Sequence, residues 1–306
     1  MVIERDTEFF AGMPVRQFDP TDALRSSRTA AYRVAVDWDW SDGGESIVDL
    51  LENLAERSVA EQLGALLIGD WGGAAQGNDS APAVKALVRL APKLSGLRAL
   101  FLGDMTYEEC EISWIQQCDL SSLLAAYPAL EELRVRGKGM SLGRLTHTHL
   151  RRLVIESGGL DRKVLRQVAA ASLPALEHLE IWTGDRGYGG NGTMRDVTPL
   201  LDAGRFPKLK HLGLRNSQLA DAVATAAAAS ALVPTLDVLD LSLGTMTDKG
   251  ASALASSAGV RALGKLDVYH NYISEAGCAR LRTLGIEVDL GYQRNIDGKR
   301  SVAVSE

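Results

Sequence analysis

Two short segments of the chain put imidazole and carboxylate groups where they could act together. In Leu176-Glu-His-Leu-Glu-Ile181 and Leu209-Lys-His-Leu-Gly-Leu214, His178 and His211 hold the same position of one Leu-x-x-Leu-x-Leu pattern. If both segments are neighbouring strands, the two rings lie about 4.8 Å apart, with Glu180 two residues further along the same face. Two imidazoles and a carboxylate can ligate zinc or another transition metal. The competing reading is that polar residues recur at equivalent repeat positions for no chemical reason. On that balance the sequence assigns no metal and no cofactor.

Other candidates carry less. His147-Thr-His149 lacks a further ligand nearby, and Cys110 and Cys118 lie too far apart for a Cys-x-x-Cys zinc or redox pair. With Cys278 they read as buried thiols of a reducing compartment rather than a disulfide framework. Thr183 to Thr193 holds five glycines in eleven residues, but opens no Gly-Lys-Ser/Thr phosphate loop and no dinucleotide fingerprint. It reads as an adaptable partner-binding loop or as a plain long turn. Gly-x-Ser-x-Gly, His-Glu-x-x-His and kinase signatures are absent. The expectation is a chain that is not an enzyme.

The elements that must position these residues follow from one repeat. Leu-x-x-Leu-x-Leu, with Val or Ile allowed last, starts at Leu63, Leu97, Leu130, Leu150, Leu176, Leu209, Leu236 and Leu263. Successive starts are 34, 33, 20, 26, 33, 27 and 27 residues apart. Alternate apolar residues send one face of a short strand inward and the other outward. Between strands, apolar residues three and four apart, such as Ile47, Leu50, Leu51 and Leu54, mark helices. Ser46 with Asp49 reads as a capping box, and Pro82 after Ser80 as a first turn. Pro128, Pro174, Pro207 and Pro234 each precede a strand leucine by two residues and end the helix before it. Weaker strands, Tyr32 to Val36 and Ile286 to Leu290, bracket the array as atypical caps. The reading is an α/β solenoid, curved, with parallel strands on the concave side and helices on the convex side. Residues 1–62 make an N-terminal cap and first coil, 63–283 the array, and 284–306 a cap strand with a polar tail.

The units Leu239 to Leu254 and Leu266 to Leu281 resemble ribonuclease-inhibitor-type leucine-rich repeats. Only Asn271 obeys that family's Asn or Cys at the ninth position; Trp71, Met105, Lys138, Gly158, Gly184, Ser217 and Gly244 stand elsewhere. The whole chain is similar to an uncharacterised, largely actinobacterial leucine-rich-repeat family, through Phe10 to Val15, Leu100 to Cys118 and Gly187 to Asn191. That resemblance implies a bacterial accessory protein of a small biosynthetic pathway, beside radical-SAM and ATP-grasp enzymes. It brings no catalytic residues.

In this register the third, fifth, seventh and eighth residues of each unit project onto the concave sheet. They include Phe101, Asp104, Arg134, Arg136, Glu156, His178, Glu180, Trp182, His211, Arg215, Asn216, Asp240, Tyr269 and His270. Aromatic residues and Arg are favoured where partners dock, so this face is expected to bind a protein or peptide. The insert from Thr106 to Asp119 and the pairs Asp37-Trp38, Asp39-Trp40 and Asp70-Trp71 are further contact candidates or simply structural.

Composition bounds the partner. In 306 residues, 46% are hydrophobic and 24% charged, as in globular chains, with a net charge of -6 and a pI near 5.5. Nucleic acid and anionic membranes require a cationic field that this chain lacks. No apolar stretch has the length of a membrane span or signal peptide, so the expectation is a cytoplasmic protein, monomeric unless an end strand pairs.

Overall fold

In a computed structural model the described residues are 3, 7–21, 24, 28–36, 44–295 and 298–306. The pairs Asp37-Trp38 and Asp39-Trp40 lie outside them. The chain divides into two compact units, residues 3–152 and 153–305. Both are α/β leucine-rich-repeat solenoids, stacks of a short strand followed by a helix or turn.

The first unit holds β1 (Phe9–Phe10), β2 (Met13–Gln17), β3 (Ala31–Val34), β4 (Ala65–Ile68), β5 (Ala99–Leu102) and β6 (Glu132–Arg136) in that order. Strands β2 to β6 are parallel, and β1 folds antiparallel onto β2. The unit's helices are α1 (Ile47–Ala55), α2 (Ala81–Leu90) and α3 (Ser121–Ala126). Helix α1 starts at the expected capping box of Ser46 and Asp49. Ser80 does not cap α2; its hydroxyl accepts from the Cys118 amide instead.

Strands β3, β4 and β5 are buried along their whole length, which alternation alone does not predict. The cover is the β1–β2 hairpin. Phe10 packs with Ala31, Ala65, Leu67, Ala99 and Phe101 on the face away from the helices. The small alanines occupy the third position of successive coils and leave room for its ring, which reaches within 6.0 Å of the Phe101 ring. Burying one Phe in this way contributes about 2–3 kcal/mol.

The second unit holds β7 (Arg152–Glu156), β8 (His178–Gly184), β9 (His211–Ser217), β10 (Val238–Asp240), β11 (Lys265–Asp267) and β12 (Glu287–Asp289). From β8 to β12 neighbours pair in parallel with no slip of register: Glu180, Gly213, Asp240, Asp267 and Asp289 form one row. Helices α4 (Arg162–Ala169), α5 (Met194–Val197), α6 (Ala220–Ala228), α7 (Asp248–Ala255) and α8 (Glu275–Arg282) complete the coils. Leu179, Leu212, Leu239 and Leu266 are fully buried inside the stack. The alanine-rich segment becomes α6, whose short side chains suit close packing on α7.

The eighth position departs from the alternation. Asn216, Leu243, His270 and Tyr292 all have positive φ, between 49° and 64°. A left-handed residue turns the chain off the strand and redirects its own side chain. Asn216 and Leu243 therefore point inward and are buried, while Tyr292 is exposed. The polar tail also turns back. Val304 exchanges two hydrogen bonds with the Asn216 amide, Ala303 donates to Leu243, and Tyr272 bonds Ser301. Arg300 pairs with Asp221, so residues 300–304 run back over the ends of three coils.

Candidate functional site

In the second unit the strands β8 to β12 turn alternate side chains to the face away from the helices. In β8, alternation places His178, Glu180 and Trp182 on that face, and in β9 it places His211, Gly213 and Arg215. The pairing His178↔His211 stacks the two rings, with centroids 3.8 Å apart and planes inclined by 17°. Ligand atoms of His178, Glu180 and His211 lie within 4.8 Å of one another.

Gly213 decides how Glu180 is held. Its row neighbours are Glu180 and Asp240, and its missing side chain leaves a gap in that row. Arg215 fills the gap: Nη1 binds Glu180 Oε1 at 2.7 Å and Nε lies 3.2 Å from Asp240 Oδ2. A Cβ at 213 would stand 3.1 Å from Glu180 Cγ and 3.5 Å from Arg215 Cδ. Trp182 donates from Nε1 to the same Glu180 oxygen at 2.7 Å, and the Arg215 guanidinium lies 5.2 Å from the Trp182 ring centre. Oε2 of Glu180 is left facing His178 Nε2 at 3.6 Å.

These contacts settle the charges. Burial opposes ionisation of Glu180, but His178, Arg215 and Trp182 outweigh it and hold the carboxyl well below the usual range. Asp240 is pushed upward by burial despite Arg215. Asp267 is pushed up to about 6 by burial and by the Asp240 charge beside it. Each of Asp240, Asp267 and Asp289 accepts through Oδ1 from the backbone amide two residues on, in Ser242, Tyr269 and Gly291. The row is thus a ladder of oriented carboxylates, with Arg215 between its first two members.

Several expected contact residues are buried among the chain's own residues. Phe101 is 0% exposed beneath Phe10, with Arg134 4.4 Å and Arg136 5.0 Å from its ring centre. Asp104, 3% exposed, accepts from Thr7 and pairs with Arg33, which also binds Glu109. Arg136 is buried and donates to the Met105 carbonyl. Glu156 is 1% exposed. Asn216 clasps the tail, because its left-handed backbone aims it there. The structure brings together His178, Glu180, Trp182, His211, Arg215 and Asp240, of which Glu180, Trp182 and Asp240 are buried. Tyr269 and half-buried His270 sit further along, where burial and Arg294 lower the His270 pKa. Asp267 and Asp289 were missed, although they follow Asp240 in the same repeat position.

The remaining motifs are structural in their contacts. His147 accepts from Leu150 N–H at Nδ1, which puts its proton on Nε2 and directs it to the Tyr127 carbonyl; His149 meets the Pro128 carbonyl. Cys110, Cys118 and Cys278 are free thiols, and burial pushes Cys110 up to about 12. In the 106–119 insert Ile112 and Ile115 pack inward, while Tyr107 and Trp114 are exposed. The glycine loop is tied down: Gly184 pairs with Gly159, and Asp185 donates to Gly158 and accepts from Gln218. Gly184 has φ of +68°, and a Cβ there would lie 2.1 Å from the Gly158 carbonyl.

Repeats, parallel ladder and strand–helix coils place this chain in the α/β leucine-rich-repeat class. It is 30% identical to a Bacteroides fragilis protein of known crystal structure, with a TM-score of 0.81 over 89% of this chain and 76% of that one. The chain belongs to the same family as that protein. It is also similar to an internalin from Listeria monocytogenes, at 17% identity and a TM-score of 0.43 over 87% of this chain and 74% of that one. No protein-family model and no curated protein matches. Among the described residues no helix is long and apolar enough to cross a membrane.

Proposed function

We propose that the chain is a non-catalytic scaffold that holds a protein or peptide on the face of β8 to β12 away from the helices, and that the bound segment is cationic. The observation that carries this reading is the row Glu180, Asp240, Asp267 and Asp289, four carboxylates in register against one guanidinium, Arg215. Asp267 and Asp289 are half-buried and already fixed by backbone amides, so they lose little entropy on pairing with an incoming Lys or Arg. Half-buried Tyr269 and His211 border the row and offer flat surfaces against which an extended peptide can lie. An accessory role beside biosynthetic enzymes rests on the family resemblance alone.

Arg215 and Trp182 are poor positions at which to test the face, since both hold Glu180. The informative variant is Asp240→Asn with Asp267→Asn and Asp289→Asn, which keeps the amide acceptors and removes charge. Arrays of Lys/Arg-rich, acidic and neutral peptides should show capture of the basic set, weakened by salt and lost in the triple variant. Capture that ignores peptide charge, or that survives the three substitutions, refutes the assignment.

A further inference from the structure

We propose that His178, Glu180 and His211 form a binding site for a divalent transition-metal ion on the face of β8 and β9 away from the helices. Three features converge there. First, the parallel register places two imidazoles from adjacent strands and a carboxylate from one of them on a single face, with ligand atoms within 4.8 Å of one another. Two nitrogens and one oxygen suit zinc, cobalt, nickel or ferrous iron.

Second, the carboxylate is presented as a ligand. Trp182 Nε1 and Arg215 Nη1 both bind Glu180 Oε1 at 2.7 Å, and so turn Oε2 toward His178. Outer hydrogen bonds of this kind fix the orientation of a metal-binding carboxylate.

Third, the surrounding field favours a cation. Asp240 and Asp267 continue the row, and Arg215 is shared between Glu180 and Asp240. A divalent ion on the His178 side of Glu180 would lie across the carboxylate from Arg215, bound through the other oxygen.

The geometry also states what binding must change. A tetrahedral ion with bonds of about 2.0–2.1 Å needs its donors about 3.3 Å apart. Ligand atoms up to 4.8 Å apart must therefore close by at most about 1.5 Å. Rings stacked 3.8 Å apart and inclined by only 17° hold their in-plane lone pairs in two nearly parallel planes, which do not meet at one ion near the rings. The stack must splay, by rotation of one ring about its side-chain torsions, for both nitrogens to reach the metal. With three protein ligands the fourth position is left for water or another ligand.

The test uses the full chain without a histidine tag, stripped by chelator and titrated separately with Co²⁺ and Zn²⁺. Expected are one equivalent of bound Co²⁺ with a visible absorption band of low-symmetry nitrogen and oxygen coordination, its displacement by Zn²⁺, and a Tm raised by about 5 °C at a hundredfold excess over Kd. Shifted His178 and His211 imidazole resonances would report the opened stack. His211→Gln and His178→Gln should each lose the band and the Tm rise while folding as wild type, judged by circular dichroism. Absence of both signals in wild type, or their survival in the double His→Gln variant, overturns the proposal. Neither readout involves a peptide, so the scaffold reading stands or falls separately.

Discussion

Replacing Asp267 by Asn should stabilise the protein, in a way that depends on pH. Asp267 lies in the row between Asp240 and Asp289, and burial with the Asp240 charge pushes it up to about 6 from an ordinary 3.8. The folded value is above the unfolded one. Its contribution to stability is therefore fully present below about pH 4 and lost as pH rises through about 6. A change from 3.8 to about 6 is equivalent to about 3 kcal/mol. Because Asp267 is only partly buried, solvent screening brings the expected effect to about 1–3 kcal/mol. Asn keeps an oxygen to accept from the Tyr269 amide, so the substitution isolates charge. Urea denaturation from pH 3.5 to 8 should show Asp267→Asn and wild type equal in acid. The variant should gain about 1–3 kcal/mol above pH 7, or about 2–6 °C in Tm. A variant less stable than wild type at pH 7.5, or a difference that does not change with pH, would refute the repulsion on which this rests.

Arg215→Met should cost about 3 kcal/mol at neutral pH, because it leaves Glu180 and Asp240 buried without their shared cation. The deficit should shrink toward pH 4 as the two carboxyls take up protons, which denaturation at both pH values checks. Asn216→Ala removes both bonds to Val304 and places a residue without a compensating side chain at φ of 49°, for a loss of about 2–3 kcal/mol. Amides of residues 301–304 should exchange faster in that variant, and unchanged exchange there would show that Asn216 does not hold the tail.

The strands were legible because each depends on a local period. Leu-x-x-Leu-x-Leu buries its own leucines whatever the neighbouring coil contains, and all eight copies lie where strands or their entry turns form. The cap at Ser46 and the helix at Ala220 were legible for the same reason, since their partners lie within one turn. Register follows from the repeat, so the sequence itself sets His178 opposite His211.

Only the tertiary structure decided what covers each residue of the sheet. Phe10 lies over alanines contributed by three different coils, and nothing near Phe10 in the chain specifies them. Arg215 enters the gap at Gly213 because Glu180, 35 residues away, draws it there, and the amide of Asn216 reaches a tail 88 residues distant. Periodicity encodes which side of a strand a residue takes. It does not encode what the rest of the chain lays upon that side, because that depends on the shape and charge of surfaces that exist only after the coils have stacked.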